Sequence, residues 1–192
     1  MQAFWHPSVN QIQIGATLTA DPDAVCRAYC HYLLLTSKPA YLMDTPADPE
    51  LGDIAAIESG LADYLVCSFR GDPRFGVIAA QLAAQRSGFA GEALRDLTSN
   101  ALLSIGLRRT QYQSGGEAWG AVLWDIRGIL NPRETDRLAV EAWRDFDLLS
   151  EQPAVAFSAI LVQRVGSTLT TSLAAKVRHC FEQRGLEPRA QT

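Results

Sequence analysis

The sequence predicts a mainly α fold of the α+β kind, opened by a short β hairpin, and three observations carry that expectation. A capping side chain followed by proline, the usual start signal of a helix, occurs at Asp21-Pro22 and again at Asn131-Pro132. Apolar residues such as Trp119, Val122, Leu123 and Ile126 recur at the spacing of one helical face. Near the N-terminus, by contrast, polar and apolar side chains alternate through Gln11-Ile12-Gln13-Ile14, as they do in a half-buried strand.

In chain order, Phe4 to Asn10 and Gln11 to Gly15 read as two extended segments around a turn. Thr19-Ala20-Asp21 supplies a cap, Pro22 takes the first helical position, and Ala24 to Thr36 continue a first helix. Ser37 to Asp53 contains Pro39, Pro46 and Pro49 and reads as a loop. A helical pattern resumes over Ile54 to Phe69 and ends at Gly71-Asp72-Pro73. Phe75 to Gln85 predicts a short helix, and Ser87 to Gly91 a loop. Ser114-Gly115-Gly116-Glu117 reads as the cap of a helix over Ala118 to Leu130. Asn131-Pro132 opens a helix reaching about Leu149, and Pro153 and Ser167 begin two more. No internal repeat and no linker interrupts this order, so residues 1–192 are expected to form a single domain.

Composition narrows the function. With 17 Lys and Arg against 21 Asp and Glu, the chain carries a net charge of -4. Its longest basic run is the pair Arg108-Arg109, which offers a polyanion no footprint, so a nucleic-acid partner is not expected. The apolar stretches near Val77 to Ala84 and Val155 to Val162 are too short to cross a bilayer. The start, Met1-Gln2-Ala3-Phe4, lacks the basic leader and apolar run of a secretory signal, which makes a cytoplasmic location the expectation. Four dispersed cysteines, Cys26, Cys30, Cys67 and Cys180, fit a reducing compartment better than a disulfide framework.

The stretch Cys26-Arg27-Ala28-Tyr29-Cys30-His31, followed by Glu58-Ser59-Gly60-Leu61-Ala62-Asp63-Tyr64, resembles the zinc-binding core of thermolysin-like metallopeptidases of the gluzincin type. In that family an H-E-x-x-H helix sets two ligand histidines at i and i+4, and the glutamate after the first activates the metal-bound water. A second helix brings the third ligand, a glutamate, and one turn later an aspartate orients a ligand histidine. On this correspondence Arg27 stands in the place of the first ligand, Ala28 in that of the general base, and His31 is the retained ligand. Ser59 occupies the third ligand position, and Asp63 that of the orienting aspartate.

The resemblance covers almost the whole chain. Gln2-Ala3-Phe4-Trp5 is similar to the edge strand that lies along the substrate. The run Gly116-Glu117-Ala118-Trp119 through Leu123-Trp124-Asp125-Ile126-Arg127 resembles a helix common to these relatives, and so does the closing helix containing Ala174 to Gly185. Gln113 stands where the relatives often carry a histidine that stabilises the tetrahedral intermediate, and Tyr41 near where they often carry a tyrosine.

The resemblance therefore implies the helical, zincin-like half of the peptidase fold with a short N-terminal edge strand, and a domain that performs no hydrolysis. It implies no zinc and no other cofactor. Arg27 is expected to pair with Asp63 or Glu58, because a guanidinium one turn from His31 repels a divalent cation. The chain begins almost at the edge strand, so the wall of the cleft that the N-terminal β lobe forms in the family is expected to be absent or supplied from outside. Ala3, Phe4 and Trp5 then become a candidate edge for a protein or peptide partner, such as another subunit of a larger bacterial assembly.

Two other readings come from the same residues. One is a residual zinc hydrolase rebuilt around His31 with Glu58, Asp63 or a cysteine, although a one-residue step from Ser59 rotates Glu58 by about 100° and is expected to aim it away from His31. The other places a structural zinc on Cys26, Cys30 and His31, against the plainer expectation of buried free thiols.

Overall fold

The computed structural model describes residues 3–6, 9–38, 52–103 and 112–188. Two strands, β1 (Ala3–His6) and β2 (Gln11–Ile14), pair antiparallel with Ala3 opposite Ile14 and His6 opposite Gln11. After a 3-10 turn at Ala16–Leu18 comes α1 (Pro22–Thr36), capped by Asp21, whose side chain accepts from the Asp23 amide at 2.9 Å. The long helix α2 (Gly52–Arg70) follows. Next come β3 (Arg74–Phe75), α3 (Val77–Ser87) and β4 (Arg95–Asp96), then α4 (Tyr112–Leu130), α5 (Pro132–Asp145), α6 (Pro153–Thr168) and α7 (Thr171–Gln183). The described residues are thus mainly helical, as the periodicity predicts.

α2 is the central element. Fifteen of its residues are buried, because it packs along α4 on one side and against α1 on another. Around α4 the aromatic side chains interlock: Trp119 meets Phe157 edge-on at 5.5 Å, and Phe157 meets Phe146 edge-on at 6.0 Å. Trp143 joins them beside Phe146 and spends its indole N–H on the Leu34 carbonyl at 3.0 Å, which ties the end of α1 to α5. Trp124 differs from Trp119 and Trp143 in being half-buried, with the Arg127 guanidinium 4.5 Å above its ring.

Several boundaries correct the expectations. The Ser114-Gly115-Gly116 run is not a cap, since α4 passes through it from Tyr112. Its glycine serves contact instead: a Cβ on Gly116 would lie 2.8 Å from Ser59 Oγ, so the missing side chain is what lets α4 approach α2. α5 stops at Asp145 rather than Leu149, where Phe146 turns extended and drops into the core. The last helix begins at Thr171, not Ser167, because Thr170 provides the cap by accepting from the Leu173 amide at 3.1 Å. The short helix after α2 starts two residues later than predicted, at Val77, and the residues before it form a β pair that the periodicity did not reveal: Arg74 opposite Asp96 and Phe75 opposite Arg95. Pro39, Tyr41, Pro46 and Pro49 lie outside the described residues.

Candidate functional site

The residues singled out by the sequence meet between α1 and α2. Asp21 and Asp23 fix the start of α1 against the β3–α3 segment: Asp21 Oδ2 accepts from the Ala79 amide and Asp23 Oδ2 from the Gly76 amide, both at 2.8 Å, while Arg70 pairs with Asp23. One turn further, Arg27 and His31 lie at i and i+4 and share the face turned to α2. Arg27 meets residues 59 and 63, and His31 meets residue 58, so the two helices run past each other in opposite senses.

Arg27 Nε donates to Asp63 Oδ1 at 2.5 Å, and its Nη2 donates to Ser59 Oγ at 2.7 Å. The pairing expected for Arg27 is therefore the one found with Asp63. Asp63 is wholly buried, and its second oxygen, Oδ2, faces the guanidinium of Arg95, which comes from β4. Arg95 Nη1 also reaches Ser59 Oγ at 3.3 Å. Phe75, opposite Arg95 in the β3–β4 pair, lies under the Arg27 guanidinium at 5.9 Å. Ala28, next to Arg27 on α1, is fully buried.

His31 Nδ1 contacts Glu58 Oε1 with both side chains largely buried. This corrects the expectation that Glu58 points away from His31. A step of one residue does turn the side-chain root around the helix, but α1 lies across that part of α2, and three side-chain torsions return the Glu58 carboxylate to the imidazole.

The thiols also depart from expectation. Cys26 is exposed rather than buried, and Cys30, one turn on, is half-buried. Burial, with the neighbouring Cys26 sulfur, pushes the Cys30 thiol up to about 11, and burial pushes Cys67 up to about 12. Gln113 falls in the first turn of α4, and its side chain lies outside the described residues, as do those of Ala3, Phe4 and Trp5. The backbone of β1 is described: it pairs with β2 in a two-stranded sheet, which leaves its other edge without a strand partner among the described residues.

Arg95 is the residue of this site that the sequence did not reveal. Nothing in its neighbourhood, Glu92-Ala93-Leu94-Arg95-Asp96, carries a pattern. Its position follows from a two-residue β pair that brings it back over α2.

Chemically the cluster is built for ion pairing. Two guanidiniums, a serine hydroxyl and the buried carboxylates of Asp63 and Glu58 occupy the α1–α2 junction, Glu58 engaging the imidazole of α1. This donor set does not fit a divalent cation, because fixed positive charges stand where ligands would have to converge. Among the described residues no three His, Cys, Asp or Glu side chains are grouped as a metal ion requires. No described helix is long and apolar enough to cross a membrane. Comparison with family models, with curated proteins and with solved structures finds no match to this chain.

Proposed function

We propose that the chain is a catalytically inactive, thermolysin-like metallopeptidase domain that acts as a protein-binding or scaffolding module. The observation that carries this reading is the use made of the α1–α2 junction, where Arg27 and Arg95 pair with Asp63 and Ser59. A peptidase of this kind needs a Lewis acid and a base there. Arg27 supplies a fixed cation in place of a ligand, and Ala28 has no group to accept a proton.

Binding is the function left to such a domain, and two features support it. The edge of β1 that has no strand partner among the described residues is where a strand could be added. On α1, Val25, Tyr29 and Leu33, spaced one turn apart, are exposed. The partner in this reading is a protein or extended peptide, including another subunit of a larger assembly, and the location is the cytoplasm, in keeping with four free thiols.

A second reading, a residual zinc hydrolase, draws on the contact between His31 and Glu58. Zinc content separates the two. In protein purified without a tag or added metal, elemental mass spectrometry is expected to give a ratio well below about 0.1 zinc per chain. A ratio near one, lost together with stability in chelator, would overturn the inactive reading and make Glu58 the first residue to mutate.

A further inference from the structure

The α1–α2 junction closes on a group that is hard to keep there. Asp63 has no solvent exposure, and an ionised carboxylate in such a place is stable only with positive charge at hand. Two guanidiniums supply it from elements far apart in sequence, Arg27 from α1 on Oδ1 and Arg95 from β4 on Oδ2. Both also reach Ser59 Oγ, at 2.7 and 3.3 Å, so the cluster has the convergence of a coordination site with the signs reversed: cations surround an anion. The guanidiniums are themselves withdrawn from water, at 19% and 13% side-chain exposure, which strengthens each attraction.

We propose that Arg27 and Arg95 serve together as a dication built into the chain. They neutralise Asp63 and tie α1, α2 and β4 to one another as a bound divalent metal would. A guanidinium stays protonated across the physiological range, so the cationic half of the tie has no proton and no ion to lose. Charge and burial alone carry this inference, which stands apart from the peptidase likeness and from any binding role.

The test is a set of thermal melts on the full chain: wild type, Arg27→Met, Arg95→Met, the double variant, and the double variant with Asp63→Asn added. Methionine keeps much of the stem packing and removes the charge. Each single variant is expected to melt about 5 °C lower, because the other guanidinium still covers Asp63. The double variant is expected to fall by more than the sum of the singles, since it leaves a buried carboxylate uncompensated. Adding Asp63→Asn removes the charge that needed neutralising and is expected to restore at least half of the loss. Additive singles, or a triple variant that melts as low as the double, would overturn the proposal, as would a wild-type melting temperature that drops in chelator. Should the double variant fail to fold, the triple still decides: a folded triple supports the charge role, and an unfolded one refutes it.

Discussion

α2 is held on two sides by opposite means. Towards α4 the contact is made by removing atoms: a Cβ on Gly60 would press on Trp119 Cβ and come within 2.5 Å of the Gly116 carbonyl and 2.8 Å of the Gly120 amide. Towards α1 the contact is made by adding charged and polar side chains, Arg27 on Asp63 and His31 on Glu58, with Arg95 reaching in from β4. The first seam depends on shape and is indifferent to pH and salt. The second depends on pairing, and breaking one partner leaves the other buried. The two seams meet at Gly116, which faces Gly60 and also Ser59, the residue whose hydroxyl accepts from Arg27 on the other side.

The largest effect is expected where shape is tightest. Gly60→Ala forces two backbones apart, and we expect a loss of about 3 kcal/mol, the upper range for overpacking, read as a fall in melting temperature of about 6–12 °C. Gly128→Ala is the control in α4, with nothing within 4 Å of the added Cβ. It is expected to be neutral or stabilising by up to about 1 kcal/mol, because it lowers the entropy of the unfolded chain and favours the helix. Equal effects at the two positions would erase the distinction between the seams.

That distinction was half legible in the sequence. Caps at Asp21 and Asn131 placed two helix starts correctly, and the side chains do bond the amides of residues 23 and 134. The face shared by Arg27 and His31 follows from helical geometry, and the partner Asp63 could be reached by matching one helix to the next. The Gly115-Gly116 pair misled, because a glycine that terminates a helix and a glycine that lets a second helix approach look the same in one dimension. Arg95 was invisible for a related reason: a two-residue β pair leaves no periodicity, and its consequence appears only once α1 and α2 are together. Glu58 was misplaced by treating a long side chain as if its carboxylate had to sit where its Cβ points.

Acid is expected to weaken the chain at the end of α2 as well, through Asp72, which follows that helix and pairs with Arg70 and Arg74. Hydrogen bonds from the Arg74 side chain and backbone, with charge from Arg74 and Arg70, hold the Asp72 carboxyl down at about 2. The folded state therefore releases this proton more readily than the unfolded chain, whose aspartates titrate near pH 4. The stability this contributes is fully present above about pH 4 and is lost as pH falls towards 2. Melting temperature measured across that interval should fall less steeply for Asp72→Asn than for wild type. Because Asp72 is partly solvated, the difference is expected to be small and to shrink further in salt. Parallel curves would mean that the pairing of Asp72 contributes no pH-dependent stability.

The smallest perturbation maps where the charged side ends. Cys26 and Cys30 are one turn apart on α1, yet the first is exposed and the second turns partly inward, with its thiol raised to about 11 by burial. At pH 8 such a group is about one part in a thousand thiolate, the form that reacts with alkylating agents. Cys67, inside α2 and raised to about 12, is more protected still, and Cys180, in the core beside α7's end, is raised to about 11. Brief treatment with iodoacetamide is therefore expected to modify Cys26 at least 100-fold faster than the other three, with no change in melting temperature. Cys30 labelled at the rate of Cys26, while Cys67 and Cys180 stay protected, would show α1 leaving α2 in solution. The charged seam would then be the weaker of the two, opening while the glycine seam stays closed.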